Sequence, residues 1–359
     1  MSQQWMIYGA NGYTGELTAR AACERGLQPV LSGRNEAQVK ALAEELSLPW
    51  RCFDLDDPQV VAEQIGDMVL VLHCAGPFSV TSAPMVNACI ERGVHYLDIT
   101  GEIDVFAACH DLDGKALAAA AVVIPGVGFD VVPTDCLAMQ LSRALPQAVE
   151  LELAFAAGGG LSPGTAKTSV EGLGKGGRIR QGGQLTSVPL GWQTRDIPFA
   201  DGAQHAVTIP WGDVYTAFVS TAIPNIKVYT TVPPSSVSKL RRLRWLRPLL
   251  ALRPVQRLLQ SRVGAKVRGP NADKRQRSRC QIWGQVRSAD GKVVSAELET
   301  PNGYELTVSA SLGIVAHLLT AAESGDRPSG GYYTPSMLMG PDYITSLPGV
   351  RWVKQPTAE

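Results

Sequence analysis

The sequence has no net charge, no paired cysteines and no metal-binding or triad motif, and each absence removes a class of function. Thirty-three Lys and Arg balance thirty-three Asp and Glu, so no global field points to nucleic acid as a partner. Seven cysteines lie scattered at Cys23, Cys52, Cys74, Cys89, Cys109, Cys136 and Cys280, without a CxxC pair and without a His at metal-ligand spacing. That usage argues against a disulfide framework and a zinc site and fits a reducing compartment. No apolar run reaches membrane-spanning length, and the first strand pattern begins without a basic n-region or cleavage site. The expectation is a cytoplasmic protein. A Ser-His-Asp arrangement, paired glycosidase carboxylates, a P-loop lysine motif and a solenoid repeat are missing as well.

What is present is a chain of 359 residues, 45% of them hydrophobic, which is enough for a full core and two domains. Over the first 135 residues, β-rich runs at 5–8, 28–32, 50–53, 68–74, 95–99 and 121–125 alternate with amphipathic stretches. This is the pattern of a doubly wound parallel sheet wrapped by helices, a Rossmann-type α/β fold. Gly26 closes the first helix, Asn35 with Gln38 reads as a capping box, Pro58 follows Asp57 in a first turn, and Ser82 and Gly93 bracket another helix. Right-handed crossovers put the carboxyl ends of all six strands on one edge.

Gly9-Ala10-Asn11-Gly12-Tyr13-Thr14-Gly15 lies at the first strand-to-helix turn. Gly9 permits the tight turn, Gly12 lets backbone approach a pyrophosphate, and Gly15 packs helix on strand. The N–H groups at the start of that helix would receive the pyrophosphate. Used only for packing, the same glycines would give a tight turn and no more. After the second strand, an NAD-specific fold carries an acid for the ribose 2′-OH, whereas this sequence has Ser32-Gly33-Arg34, which suits a 2′-phosphate and therefore NADP(H). Arg34 as a solvated loop residue is the competing reading. Asp54, after the third strand, suits the adenine edge or a plain turn.

Three further stretches fall at strand carboxyl ends: His73-Cys74-Ala75-Gly76-Pro77-Phe78, Tyr96-Leu97-Asp98-Ile99-Thr100-Gly101-Glu102, and Pro125-Gly126-Val127-Gly128-Phe129-Asp130-Val131-Val132-Pro133-Thr134-Asp135. Together with GANGYTG they resemble the saccharopine dehydrogenase-like superfamily, most of all its trans-acting enoyl reductase-like branch. The resemblance covers the nucleotide domain and extends weakly into Gly158-Gly159-Gly160-Leu161-Ser162-Pro163-Gly164-Thr165. It implies NADP(H) binding and an oxidoreductase fold. Because the superfamily spans amine, C=C and other reductions, it fixes the cofactor better than the substrate.

From about residue 146 the pattern changes. Val149–Phe155 alternates with period two, as in a half-buried strand. Ile282–Arg287, Val293–Glu299 and Tyr304–Ala310, separated by Asp290-Gly291 and Asn302-Gly303, predict a three-stranded antiparallel meander. Leu312, Val315, Ala316 and Leu319 then recur at helical spacing up to Gly325. The expected organisation is a nucleotide domain over 1–145, an inserted α+β substrate and dimerisation domain over 146–310, and a return helix with C-terminal segment over 311–359 packing on the nucleotide domain. The 158–183 stretch reads as a mobile loop plus a short helix. A homodimer is the default oligomer.

Hydride transfer needs a nicotinamide face held against an electrophilic carbon. By topology Cys74, Ala75, Gly76, Pro77 and Phe78 line the ribose and nicotinamide. Asp98, Glu102 and Asp130 are the nearest carboxylates, and Tyr13 and Tyr96 are the candidate proton donors. Each carboxylate also has a structural reading: Asp98 as a loop cap, Glu102 in a first helical turn, Asp130 ahead of a helical turn. His95 and His317 read as structural. Two function classes follow: an NADP(H)-dependent reductase acting on a small apolar carbonyl, imine or conjugated C=C substrate, and a non-catalytic NADP-binding sensor or scaffold.

One segment stands apart. Between Lys239 and Arg262 there are eight Lys or Arg and no Asp or Glu. Leu243, Leu246 and Leu250, then Val255, Leu258 and Leu259, recur at helical intervals, broken by Pro248 and Pro254. Such a segment either packs its leucines on the second domain or lies on a membrane surface as a peripheral contact.

Overall fold

The computed structural model describes residues 4–158, 160, 162–250 and 252–358. Gly159, Leu161 and Ala251, which fall in stretches singled out above, lie outside the described residues.

The chain begins with six strands joined through helices. These are β1 Trp5–Tyr8, α1 Tyr13–Glu24, β2 Val30–Gly33, α2 Glu36–Leu46, β3 Trp50–Cys52, α3 Pro58–Ile65, β4 Leu70–His73, α4 Phe78–Arg92, β5 His95–Asp98, α5 Ile103–His110, α6 Asp113–Ala118 and β6 Val122–Ile124. β1, β2, β4 and β6 are buried at every position, as strands covered on both faces must be. Asn35 caps α2 by accepting from Gln38 N (3.2 Å). The Gln38 side chain, however, accepts from Asn11 Nδ2 (2.8 Å), so the other half of the expected capping box ties α2 to the glycine turn. Asp57 accepts from Gln59 N (2.9 Å) at the start of α3, with Pro58 in its first turn. α4 starts at Phe78, not at the expected Ser82, because the Glu102 carboxylate takes its first two N–H groups.

The next stretch holds α7 Val132–Ala144, β7 Ala148–Ala157, α8 Pro163–Lys175, β8 Gly177–Gln181, β9 Gln184–Val188, β10 Thr194–Phe199, β11 Gly202–Thr208, α9 Asp213–Thr221 and β12 Asn225–Thr231. It continues with α10 Pro234–Leu243, a 3-10 turn Arg244–Leu246, α11 Arg247–Leu250, α12 Arg253–Lys266, α13 Ala272–Arg277, β13 Arg279–Ser288 and β14 Val293–Pro301. The chain closes with α14 Gly303–Ser324, β15 Gly331–Tyr332, α15 Pro335–Met339, α16 Tyr343–Ser346 and β16 Arg351–Ala358.

Contacts divide these elements into two compact units: residues up to Asp130 with Thr307–Leu338, and Val131–Leu306 with the chain from Met339 onward. The first unit is an all-parallel sheet in the order β15-β6-β5-β4-β1-β2-β3. The direction of strand addition reverses between β1 and β4, the switch point at which such sheets bind ligands. The second unit is a nine-stranded mixed sheet, β10-β11-β12-β7-β13-β14-β16, with β8 pairing β12 and β9. Gly284 of β13 leaves room for Leu141 and Leu137 of α7, whose atoms stand 2.7 and 3.1 Å from where a methyl would be. Ala154, Ile197, Phe199, Ala206, Tyr229 and Trp283 form a further buried cluster, and the Arg195 guanidinium lies over the Trp283 ring (5.1 Å).

Three sequence expectations are corrected here. Tyr304–Ala310 is the first part of α14, not a third meander strand. Asn302 Oδ1 accepts from Tyr304 N (3.0 Å) and Asn302 O from Leu306 N (3.0 Å), which starts a helix where a hairpin turn was expected. The buried series Leu306, Ala310, Ile314 and Leu318 then runs at helical spacing to Gly325. The third strand beside β14 is β16, from the chain's far end, so residues from 351 join the second sheet and not the nucleotide unit. By length and composition α14 is also apolar enough to cross a membrane, with mean hydropathy 1.4, although no such run was expected. Half of that window is buried inside the fold, as in a core helix.

Asn302 also donates to Gly158 O (3.2 Å). Asn302→Ala is therefore expected to lower unfolding free energy by about 1–2 kcal/mol through loss of the cap. Urea unfolding should show a lower midpoint at an unchanged m-value.

Candidate active site

The turn after β1 is built on close approach. Gly9 has φ +82, a left-handed conformation, and a methyl there would stand 2.8 Å from Ala75 Cβ. A methyl at Gly15 would stand 2.2 Å from Gly9 O. The glycine turn thus touches the loop after β4, and α1 packs directly on the end of β1. Gly9 N and Ala10 N both donate to Ser32 O (2.8 and 3.0 Å), fastening the turn to β2. Gly12 differs: it is exposed, and a methyl there would have only Gly9 O within 4 Å, at 3.2 Å. It also gives α1 no side-chain cap. A helix start left open in this way, with glycine where a side chain would stand, is a cradle for a phosphate.

The other expected cofactor residues stand at or just after the ends of β1, β2, β3 and β4. Asn11 reaches α2 as described, with its Oδ1 2.7 Å from where a methyl on Gly33 would be. Ser32 is buried and its Oγ has no hydrogen-bond partner. Arg34 is exposed just beyond β2. Tyr13 and Thr14 open α1, both half-buried. Asp54 follows β3 and accepts from Asp56 N (3.1 Å), the turn-forming role. Burial pushes the Cys74 thiol up to about 12, with Asp98 adding to the shift, so this cysteine is an unreactive lining group. Ala75, Gly76, Pro77 and Phe78 complete the loop into α4.

Two residues that sequence reasoning did not single out hold loops at this edge of the sheet. Thr81 Oγ1 donates to Ala75 O (2.6 Å) and stands 3.0 Å from His73 Nε2, which accordingly carries the ring proton. Burial drives the His73 pKa down to about 3, so the ring stays neutral. On the other side, Thr307 of α14 accepts from Phe129 N (3.0 Å) and leaves room for Gly128 alone, since a methyl there would meet Thr307 Cγ2 at 2.9 Å. Thr307 lies 178 residues beyond Phe129, and no local pattern could have linked the two. His95 accepts from Val122 N through Nδ1 (3.1 Å), a structural role.

The four candidate catalytic residues separate by their surroundings. Tyr96 and Asp98 are both fully buried, and Tyr96 OH donates to Asp98 Oδ2 (2.7 Å). Asp98 Oδ1 accepts from Thr100 N and Gly126 N (both 2.9 Å), joining the ends of β5 and β6. Burial raises the Asp98 pKa to about 6, against the opposing pull of these donors. Glu102 is buried, and its two oxygens accept from Phe78 N (3.1 Å) and Ser79 N (2.9 Å). It acts as a side-chain cap for α4, supplied from 24 residues away. Asp130 lies half-buried beside Gly101, where a methyl would come 2.6 Å from its Oδ2. Burial raises its pKa from an ordinary 3.8 to about 7. Of the four, it alone combines partial exposure with a proton that titrates near neutrality, as a general acid or base requires.

In the second unit, Ser162 at the start of α8 is also fastened. Ser162 Oγ accepts from Thr165 N (3.2 Å), Ser162 N donates to Tyr304 OH, and Thr165 Oγ1 lies 3.3 Å from that hydroxyl. Among the described residues no group of His, Cys, Asp or Glu could hold a metal ion.

A parallel sheet with a glycine turn at its switch point and a cationic residue beyond β2 is a Rossmann-type dinucleotide-binding arrangement. Residues 5–123, about a third of the chain, match the saccharopine dehydrogenase NADP binding domain family, which supports NADP(H) as the cofactor of this part of the chain. The chain is 34% identical over 146 residues to the trans-acting enoyl reductase of Mycobacterium leprae, which covers 38% of this chain and 35% of that protein. It is 30% identical over 146 residues to the trans-acting enoyl reductase of Mycobacterium tuberculosis H37Rv, with the same coverage. The match therefore spans about a third of each relative's length. The fold as a whole resembles saccharopine dehydrogenase (L-Glu forming) from Saccharomyces cerevisiae, with TM-score 0.64 over 98% of this chain and 100% of that one, at 10% identity.

Two outcomes separate the glycines. Gly12→Val should still fold, with only a small loss of melting temperature from the 3.2 Å approach to Gly9 O and the poorer cap, and should lose at least about tenfold in NADPH affinity by calorimetry, since its side chain fills the open helix start. Gly15→Val should instead lose about 2–3 kcal/mol or more of stability through overpacking.

Asp130 gives a pH signature. Its folded pKa lies above its unfolded one, so the folded state holds this proton more tightly. The stabilisation it brings is full below about pH 4 and is lost as pH rises toward about 7. Asp130→Asn removes that dependence. The melting temperature of the variant minus that of the wild type should grow between pH 5 and pH 8; a constant difference would contradict the placement of this carboxyl.

Proposed function

We propose that this chain is an NADP(H)-dependent oxidoreductase that reduces a small apolar substrate at a conjugated C=C, carbonyl or imine bond. The observation that carries the reading is Asp130, a half-buried carboxyl with pKa near 7 at the carboxyl edge of an NADP-binding sheet. When bound, NADPH supplies a hydride. The backbone at Gly12, Tyr13 and Thr14 would hold the pyrophosphate, Arg34 the 2′-phosphate, and the Cys74–Phe78 loop the ribose and nicotinamide. Asp130 would give its proton to the reacting oxygen, nitrogen or carbon and recover one from water. Tyr96, Asp98 and Glu102 would act by keeping β5, β6 and α4 in place. The sequence similarity to proteins named enoyl reductases favours a conjugated C=C.

A non-catalytic NADP-binding sensor is the second reading. It draws support from the hydrogen bonds that occupy Tyr96, Asp98 and Glu102, which leave Asp130 to do the proton chemistry alone. A cytoplasmic homodimer belongs to the same proposal. The seven cysteines, all free thiols, support a reducing compartment, and the dimer is checked by light scattering.

NADPH oxidation against a panel of enals, enones, aldehydes and imines tests the activity. Turnover on at least one class is expected, and a protein that binds NADPH without oxidising it on any class would favour the sensor. For cofactor choice, a charge-assisted phosphate contact at Arg34 contributes about 1.5–3 kcal/mol. NADPH should therefore bind at least about tenfold more tightly than NADH, and Arg34→Asp should abolish the difference.

A further inference from the structure

Nine large apolar side chains are exposed among the described residues, and five of them fall within 245–258: Trp245, Leu246, Leu249, Leu252 and Leu258. Trp245 is 88% exposed. The surrounding stretch from Lys239 to Arg262 is the one with eight cationic and no acidic residues, and Lys239, Arg242, Arg257 and Arg262 are exposed. An ordinary surface helix turns its apolar stripe to the core. Here the stripe is divided. Leu243, Leu250, Val255 and Leu259 are half-buried, while Leu246 and Leu258 face outward with the tryptophan.

The segment is anchored on its inner side. α11 and α12 pack on α8, and Gln256 Nε2 donates to Val170 O of that helix (3.2 Å). Arg244 donates to Leu190 O (2.7 Å) and Gly191 O (2.9 Å). Pro248 and Pro254 divide it into short pieces. The outward side chains therefore stand on a braced platform, and are not the face of one long helix that could fold back to bury them. Exposed apolar side chains gathered in one segment mark an interaction surface. A tryptophan, leucines and cations without acids are the composition that enters the headgroup boundary of a negatively charged bilayer.

We infer that residues 239–262 are a peripheral docking surface for anionic lipid. Trp245, Leu246, Leu249, Leu252 and Leu258 enter the interface, and Lys239, Arg242, Arg257 and Arg262 lie over the headgroups. Charge complementarity selects this occupant: a segment with eight cations and no acid of its own is attracted to an anionic bilayer and repels a second copy of itself. The inference is independent of the reductase reading, since it uses no residue of the nucleotide site.

The test is co-sedimentation of the full chain with phosphatidylcholine vesicles and with vesicles carrying one-quarter phosphatidylglycerol, at low and high salt. Binding to the anionic vesicles at low salt, reduced by salt and weak on neutral ones, is expected. Two variants dissect it, each checked for unchanged NADPH affinity and melting. Lys239, Arg242, Arg257 and Arg262 all changed to Gln should lose tenfold or more in partition to anionic vesicles and lose the salt dependence. Trp245→Ser with Leu249→Ser and Leu252→Ser should lose tenfold or more at every salt concentration. The inference is overturned if the wild type stays in the supernatant with anionic vesicles at low salt, if neither variant changes binding, or if the serine variant converts a dimer to a monomer, which would make the patch a self-interface.

Discussion

The approach of α1 to β1 is closer than any side chain would allow, and the nucleotide unit is arranged around that approach. With Gly15 pressed on Gly9 O and Gly9 pressed on Ala75, the helix start, the second strand and the loop after β4 meet at one point on the sheet. The open helix start at Gly12 is a consequence of this packing. It opens because its neighbours on either side are closed.

The same edge uses its carboxylates in two ways, and burial with hydrogen bonding decides which. Asp98 is paid for by Tyr96, Thr100 and Gly126, and Glu102 by the first N–H groups of α4. Groups held by two or three donors resist moving and keep strand ends and a helix start in register. Asp130 sits in the same neighbourhood without that set of donors, so burial dominates and brings its pKa near neutrality. One acid tuned for exchange among acids fixed for structure is the division that the proposed proton chemistry needs.

Much of the first unit was legible in the sequence because its signals are local. The six strand runs, the glycine turn, Asp57 before Pro58 and Gly26 after the first helix all act within a few residues. What was not legible depended on distant partners. α4 begins where Glu102 reaches it, and β14 gains as its neighbour a strand from the chain's far end, for which no turn signal exists. Over Tyr304–Ala310, alternation across so few residues fits a strand or a helix equally, and the buried series continuing to Leu318 decides it. The catalytic candidates were legible as a set because topology puts them on one edge. Their separation into fixed and titrating groups needed burial and hydrogen bonds, which no spacing encodes.

The proposed reduction requires hydride to pass from NADPH to a bound substrate at this edge. The direct measurement is isotope transfer: wild-type protein is given NADPH deuterated on either face of nicotinamide C4, with an enone, an enal, an aldehyde and an imine in turn, and the products are weighed by mass spectrometry. One deuterium appearing on carbon in a reduced product, from one face of the cofactor only, is the predicted result. Cofactor that binds yet keeps its deuterium with every substrate would contradict it.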